Sequence, residues 1–158
     1  MEAHAAARIN VTLDHIARSS HGSITGPIWI AGSEPGVAFP EVEWSDFPVA
    51  LLAAWIPALR RLSARGDTAE CHFMDGPYRF TVIASAADNW RVACFEARDT
   101  LGAANAVTEW RTTPDAFLDS AVSAARALLG YCDARQWWSD DTEQLRAALG
   151  FRDPERAS

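Results

Sequence analysis

Lysine is absent from this chain: all 14 basic side chains are arginine, against 21 acidic side chains, and the net charge is −7. A Walker-type phosphate loop requires a lysine, so its absence excludes that kind of nucleotide site. Nonspecific nucleic-acid binding depends on basic side chains that neutralise phosphates, so we do not expect this acidic chain to bind nucleic acid. The same charge suits a basic protein partner, because opposite charges speed the encounter of two proteins.

Cysteine is scarce and long apolar runs are missing. Cys71, Cys94 and Cys132 are an odd number with wide spacing, which is typical of buried reduced thiols rather than of a disulfide framework. Near Met1 no apolar run precedes a cleavage-type site, and the most apolar segment (47–59) contains two prolines and is too short to cross a bilayer. We therefore expect a cytoplasmic protein that does not contact a membrane.

Signatures of metal and nucleophile sites are missing as well. The chain has no closely paired cysteines, no histidines four apart and no Gly-x-Ser-x-Gly motif. Cys71 and His72 are neighbours in a predicted strand, so their side chains point to opposite faces and cannot share a metal. The sequence therefore predicts no metal, no cofactor and no nucleophilic catalytic residue.

Alternating apolar and polar residues predict antiparallel strands. Ile9, Val11 and Leu13 alternate with polar residues and predict a first strand, and a second covers Ile28–Ile30 after Gly26-Pro27. Four further strands are predicted, at Ala69–Met74, Tyr78–Ala84, Trp90–Ala97 and Val107–Thr112. Between the first two of these four, Asp75-Gly76 is a hairpin signal, but Pro77 lacks the amide that would close a two-residue turn. We expect a slightly longer loop there.

The pattern predicts a first helix opening at Trp44–Pro48, with Ser45 or Asp46 as its cap and Pro48 in its first turn. Pro57 should kink this helix, and Gly66 is a natural stop. Its apolar residues recur three and four apart: Leu52, Trp55, Ile56, Leu59 and Leu62.

Two more helices are predicted after the strands. Thr113 caps the second, with Pro114 in its first position. Its apolar face comprises Phe117, Ala121, Ala124, Leu128 and Cys132. Ser139 or Asp140 caps a short third helix, which carries Leu145 and Leu149 and ends at Gly150.

These elements predict an α+β fold, with an antiparallel meander sheet of about five to six strands packed against two to three helices. With 158 residues and 49% hydrophobic residues, we expect a single domain over residues 1–151 and a frayed tail over 152–158. Two arrangements of the strands remain open: one continuous layer, or a hairpin beside a four-stranded meander.

Seven tryptophans are more than average usage, and some have acidic neighbours. Trp55 and Trp90 fall on core-facing positions. Trp44, Trp137 and Trp138 lie at predicted helix starts in two acidic segments. The candidate contact residues are Glu41, Glu43, Trp44 and Asp46 in the first segment, and Trp137, Trp138, Asp140, Asp141 and Glu143 in the second. Aromatic side chains ringed by carboxylates are typical of a surface that binds a basic protein. The alternative is a hydrophobic staple at a helix start.

A pair of carboxylates is the one arrangement with catalytic potential. Glu96 and Glu109 lie on neighbouring predicted strands and could come within reach of one another, as acid–base catalysis requires. Arg91, Arg98 and Arg111 lie close by in sequence and offer ordinary ion pairs, which are common on the solvent face of a sheet.

One group of motifs resembles a known class of proteins. These motifs are Trp44-Ser45-Asp46-Phe47 with Trp55, Phe73-Met74-Asp75-Gly76-Pro77-Tyr78, and Trp90-Arg91-Val92. In their order and spacing, over about residues 39 to 132, the chain resembles small bacterial immunity proteins of polymorphic toxin systems. The resemblance implies an α+β protein that binds and neutralises a cognate toxin in the cytoplasm, with no catalytic residues.

Three hypotheses therefore come out of the sequence. The first is a non-enzymatic immunity protein that blocks a toxin through the acidic and aromatic residues above. The second is a small-ligand-binding or regulatory module with an apolar pocket lined by Trp and Phe. The third is an enzyme that uses Glu96 or Glu109 as a base, which would require a cleft around that carboxylate.

Overall fold

In a computed structural model, residues 7–86, 88–96 and 106–150 are described, and they form two antiparallel sheets and three helices. The predicted α+β fold is confirmed. The strands divide between two sheets, so the arrangement with a separate four-stranded meander is the one found. The predicted tail (152–158) and Ala97, the predicted end of one strand, lie outside the described residues.

The first sheet is built around one long strand. Its members are β1 (Arg8–Val11), β2 (Ala17–Arg18), β3 (Ile24–Ala31), β4 (Ala38–Phe39) and β5 (Ser45–Asp46). Strand β3 lies in the middle, because each of the other four pairs with part of it. The strands at its side are short, and Gly26 of β3 pairs with Asp46 of β5. Asp46 therefore has a backbone position inside the sheet.

The second sheet is the predicted meander. It contains β6 (Thr68–His72), β7 (Tyr78–Ala86), β8 (Asn89–Glu96) and β9 (Thr108–Thr112), in the spatial order in which they follow along the chain. Alternation places Phe80, Val82, Trp90, Val92 and Cys94 on one face, and all five are buried. Phe73–Pro77 connect β6 to β7, so the longer loop expected from Pro77 is confirmed.

Three helices accompany the sheets: α1 (Pro48–Arg60), α2 (Pro114–Ala134) and α3 (Asp140–Ala148). The Thr113 hydroxyl accepts a hydrogen bond from the Ala116 amide, and Ser139 forms a reciprocal capping box with Thr142, so both predicted caps are confirmed. The predicted apolar faces are buried in α1, except for half-buried Leu62 beyond its end, and throughout α2.

The ends of α1 differ from their prediction. Phe47 occupies the N-cap position without a side-chain hydrogen bond, so neither Ser45 nor Asp46 caps the helix. The helix ends at Arg60 rather than at Gly66. Pro57 lies inside the helix, and a kink there stays a prediction. The first strand also ends earlier than predicted, because Leu13 begins a short 3-10 turn (Leu13–His15).

A chain of aromatic rings runs from the surface into the core. Trp44 contacts Tyr78, and Tyr78 contacts Phe39, with ring centroids 5.0 and 5.6 Å apart. The series continues with edge-to-face contacts among Phe39, Phe73, Trp55, Phe80, Phe117 and Trp90. The loop around Trp44 is therefore packed onto the same core that holds α1 and α2 against the meander.

Candidate partner-binding surface

Two loops meet at a buried carboxylate. Asp46 is only 2% exposed, and it belongs to the segment 40–46, which lies beside the β6–β7 loop. Its Oδ1 accepts the amides of Phe47 (2.8 Å) and Met74 (3.3 Å). Its Oδ2 accepts the indole N–H of Trp44 (3.0 Å) and the amide of Asp75 (3.1 Å). Each oxygen thus receives two donors, as an ionised carboxylate can.

Asp46 therefore has a structural position. Sequence reasoning placed it on an acidic contact surface, but the side chain is buried and its oxygens are already bonded within the chain. Two of its hydrogen bonds reach Met74 and Asp75, which lie 28 and 29 positions further along the chain. A buried carboxylate with four donors holds both loops in one arrangement, because separating the loops would lose hydrogen bonds to a charged acceptor, which are stronger than those between neutral groups.

Gly76 completes the junction of the loops. It has a φ of +74°, which favours glycine, and a Cβ there would lie 2.9 Å from the Tyr78 ring and 3.3 Å from that of Trp44. The two rings can close over this position only because it has no side chain. The Ile28 amide donates to the Trp44 carbonyl (2.8 Å), which ties the same segment to β3.

The outer side of the junction combines exposed apolar and acidic side chains. Val42 is 56% exposed and Met74 is 61% exposed, and Glu41, Glu43 and Asp75 are exposed as well. We call these five residues the loop patch. No arginine occurs in segments 40–47 and 73–78, so the patch carries three negative charges without a basic neighbour in either loop. Glu43 accepts one contact, 3.0 Å from Nδ1 of His15.

Sequence reasoning identified Glu41, Glu43 and Trp44 but missed Val42, Met74 and Asp75. Trp44 is half-buried and acts as the support of the loop patch rather than as its outermost residue. Met74 and Asp75 belong to the motif Phe73–Tyr78, in which Asp75-Gly76 and Pro77 predict a loop between two strands. The signal that could have found them is the methionine next to Asp75-Gly76-Pro77, because such turns are exposed and normally hold polar residues.

The second predicted group lies between α2 and α3, and we call it the helix corner: Trp137, Trp138, Asp140, Asp141 and Glu143. Trp138 is 56% exposed, and its indole N–H donates to Asp133 (3.1 Å). Trp137 is half-buried against Tyr131, with ring centroids 5.8 Å apart.

Arginines partly neutralise the helix corner. Arg146 binds Asp133 at 2.7 Å and lies 3.6 Å from Glu143, and these carboxylates raise its pKa, the hydrogen bond to Asp133 contributing most. The Arg135 guanidinium lies 3.4 Å from the centre of the Tyr131 ring. Asp140 and Asp141 have no side-chain hydrogen bond or ion pair with the described residues. The helix corner is thus less uniformly acidic than its sequence indicated.

The hydrophobic staple is not formed at either helix. A staple pairs the residue before the N-cap with the fourth residue of the helix. Before α3 these positions hold Trp138 and Glu143, and before α1 they hold Asp46 and Leu51, so neither pair is apolar on both sides. Within the described chain, no hydrogen bond, ion pair or ring contact joins the loop patch to the helix corner.

The predicted carboxylate pair is separated by the sheet register. Glu109 pairs with Ala93, and Glu96 pairs with Tyr78 on the opposite neighbour. Ala93 and Glu96 are three residues apart on one strand, so their side chains lie on opposite faces, and Glu109 shares the face of Ala93. Glu109 lies 3.4 Å from Arg91 in an exposed ion pair. Glu96 and Glu109 therefore do not form the carboxylate pair that neighbouring strands could have allowed, and the ordinary ion pair is found at Glu109.

Other reactive groups are structural or exposed. Glu70 and His72 contact each other at 2.9 Å, as expected for neighbours on one face of a strand, and both are exposed. The three cysteines are buried and free, as predicted. Burial raises the pKa of Cys71 to about 12, and it also raises the pKa of Cys94 and of Cys132. Such thiols are poor nucleophiles at neutral pH.

Across residues 7–86, 88–96 and 106–150, no group of three His, Cys, Asp or Glu side chains could hold a metal ion. None of the helices in these ranges is long and apolar enough to cross a membrane. Two open grooves, of about 390 and 490 Å³, lie beside β6 and beside β1. Neither is lined by Trp or Phe, so neither has the lining that the small-ligand hypothesis requires.

Comparisons of the chain with protein-family models, with curated proteins and with solved structures found no match. The function therefore has to be inferred from the chain's own surface, and the resemblance to immunity proteins stays a prediction.

Proposed function

We propose that this protein is a non-enzymatic immunity protein, which binds a basic toxin domain in the cytoplasm and covers its active site. The loop patch is the contact surface in this proposal, and the helix corner is at most a flanking contact. The single observation that carries the proposal is an apolar and acidic surface whose two loops are joined from beneath by the Asp46 carboxylate.

Preorganisation supports this choice of surface. A surface that is already ordered loses little conformational entropy on binding, and so more of the contact energy contributes to affinity. The four hydrogen bonds to Asp46 and the ring packing at Gly76 order both loops before any partner arrives. Val42 and Met74 provide apolar surface that a partner can bury, and Glu41, Glu43 and Asp75 provide negative charge beside it.

The charge indicates the chemistry of the partner. Glu41, Glu43 and Asp75 attract a basic surface, and a toxin domain that cleaves or modifies nucleic acid needs such a surface to hold phosphates. An acidic inhibitor would occupy that surface in place of the substrate. Its association rate should fall as salt is added, because screening weakens the long-range attraction.

Co-expression tests the proposal. The C-terminal domain of the protein encoded immediately upstream is expressed in an unrelated bacterial host, with and without this chain, and growth is measured. We expect the domain to be toxic, this chain to restore growth, and the two proteins to purify together. Toxicity that this chain does not relieve, or a harmless upstream domain, would contradict the proposal.

A further inference from the structure

The first sheet has an inner face in the core and an outer face that points away from it. Alternate residues of β3 point to opposite faces. Ile28 and Ile30 are fully buried and belong to the same core cluster as α1 and α2, so they define the inner face. Trp29, between them, therefore points outward, and it is half-buried. We call the outward-pointing residues of β1 to β5 the outer face.

Trp29 lies near the middle of the outer face. It pairs with Asn10 of β1, and two residues further along β3 Ala31 pairs with both Arg8 and Ala38. Within the described parts of the chain, Trp29 has no ring contact and no hydrogen bond, and it is not among the residues packed against the core. A half-exposed indole of this kind is a typical anchor of a protein interface.

The outer face is almost free of charge. Arg8, at one end, is the single charged residue among its described strand positions. The others are neutral and mostly small, among them Asn10, Thr25, Pro27, Ala31, Ala38 and Ser45. Depletion of charge around a central aromatic residue is the composition of an interface core.

Charge limits which surface can join two copies of this chain. Each copy has a net charge of −7, so two copies repel each other most strongly where acids face acids. The loop patch and the helix corner contain several acids, and the outward side of the meander carries exposed Glu70 and Glu109. The described strand positions of the outer face contain none, so two copies can approach there with the least repulsion.

Opposite charges meet at the rim when two outer faces pack together. A twofold axis parallel to β3 lays β1 of one copy over β4 of the other and brings the two Trp29 rings together at the centre. Arg8 then faces the end of β4 and the loop beside it (32–37), which carries exposed Glu34. Among the described residues, Arg8 borders Asp119 of α2 without pairing with it, and neither Arg8 nor Glu34 has a side-chain hydrogen bond or ion pair. The outer face is therefore complementary to itself.

We infer that the outer face joins two copies of this chain in a weak symmetric dimer. Strand β3 has eight residues, and with one strand on each side the face measures about 26 by 14 Å. Two such faces would bury on the order of 1,000 Å² of accessible surface, the lower limit for a specific interface. We therefore expect a dissociation constant on the order of 100 µM. The dimer uses no residue of the loop patch, so this inference does not depend on the proposed immunity function.

Sedimentation equilibrium of the full-length protein, from about 10 to about 500 µM, tests the inference. We expect a monomer–dimer equilibrium. Raising sodium chloride from about 50 to about 300 mM should strengthen the dimer about two- to fivefold, because screening weakens the repulsion between two chains of charge −7. The pairs of Arg8 with Glu34 do not reverse this trend, because exposed ion pairs contribute little.

Two variants test the outer face, and both are first confirmed to fold by circular dichroism. Trp29→Thr removes the central ring but keeps a residue suited to a strand, and it should weaken the dimer at least about tenfold. Its matched control is Trp138→Thr, the same change at the exposed tryptophan of the helix corner, which should leave the dimer unchanged. Asn10→Asp keeps the side-chain shape but places an acid beside Trp29 in each copy, and it should weaken the dimer about fivefold at low salt.

Three results would overturn the inference. The first is a monomer at every concentration in both salt conditions. The second is a dimer that Asn10→Asp, or a folded Trp29→Thr variant, leaves as strong as before, because the contact would then lie on another surface. The third is a dimer that weakens as salt is added, because charged surfaces would then hold the two copies together.

Discussion

Replacing Asp46 should show how much one buried carboxylate contributes to the stability of this fold. Asp46→Ala removes the acceptor for four N–H groups, those of Trp44, Phe47, Met74 and Asp75. A hydrogen bond to a charged group contributes about 1.5–3 kcal/mol, and such values are not additive within one network. Because the amides of the exposed Met74 and Asp75 can recover water, we expect a loss of about 3–5 kcal/mol in the free energy of unfolding.

The near-isosteric Asp46→Asn separates charge from shape. Each carboxylate oxygen accepts two donors, so whichever oxygen becomes the amide NH₂ group would face two N–H groups. The side-chain volume is almost unchanged. We therefore expect Asp46→Asn to cost about 2–4 kcal/mol, close to the cost of Asp46→Ala.

Denaturant unfolding followed by tryptophan fluorescence measures both losses. Asp14→Asn is the matched control, because Asp14 is exposed and has no side-chain bond with the described residues, and it should change stability by less than about 0.5 kcal/mol. Hydrogen exchange should show faster exchange of the Met74 and Asp75 amides in the Asp46 variants. If Asp46→Asn behaves like the control in both measurements, the reasoning is refuted.

Four further predictions concern Gly76, the cap at Ser139 and the buried thiols. Gly76→Ala should destabilise the protein by about 2–4 kcal/mol in denaturant unfolding. The control is Gly36→Ala, which is also at positive φ but has nothing within 4 Å of the added Cβ, and it should cost only about 1 kcal/mol. Equal losses in the two variants would disprove the ring contact at Gly76. Ser139→Ala should cost about 1 kcal/mol in thermal or chemical unfolding, because the capping box with Thr142 is lost, and no change would contradict that cap. The three buried thiols should not react with a thiol reagent at pH 8 in the folded protein and should all react in denaturant, since Cys71 has a pKa of about 12. The pKa of Cys71 is higher in the folded state than in the unfolded state, so the unfolded chain loses this proton first as the pH rises. The stability that the protonated Cys71 thiol contributes is complete below pH 9 and is lost as the pH rises toward 12, so unfolding should become easier over that range.

Local signals in the sequence predicted the parts of the fold that depend on neighbouring residues. Thr113 and Ser139 cap their helices because capping needs only an oxygen and an amide two or three residues away. The buried face of α2 follows from a period of 3.6, and the meander follows from a period of two. These features required no knowledge of distant contacts.

Features that depend on distant pairing were not predictable in the same way. Asp46 appeared to be one more surface acid in an acidic segment, because its donors Met74 and Asp75 lie far along the chain. Glu96 and Glu109 are different, because their separation follows from alternation within each strand: Glu96 is in phase with buried Trp90, Val92 and Cys94, whereas Glu109 is next to buried Trp110 and faces the other way. That alternation is local, so it could have excluded the pair from the sequence alone.

The candidate site was predicted in part for the same reason. Acidic and aromatic composition identified the segment of Glu41 and Trp44, whereas exposure of Val42 and Met74 depends on how two loops meet. By composition alone, the helix corner and the segment of Glu41 and Trp44 were equally good candidates for the partner-binding surface. The structure distinguishes them, because in the helix corner Arg146 lies 3.6 Å from Glu143 and the Arg135 guanidinium lies 5.8 Å from the centre of the Trp137 ring.

Growth rescue by two charge-matched variants tests the central proposal most directly. One variant carries Glu41→Lys, Glu43→Lys and Asp75→Lys in the loop patch. The other carries Asp140→Lys, Asp141→Lys and Glu143→Lys in the helix corner, so the change in net charge is the same. Both are first confirmed to fold, and each is co-expressed with the upstream toxin domain.

We predict that the loop-patch variant fails to restore growth and that the helix-corner variant still restores it. Restored growth with the loop-patch variant and failure with the helix-corner variant would contradict the proposed surface. Rescue by both variants would show that neither acidic group determines binding.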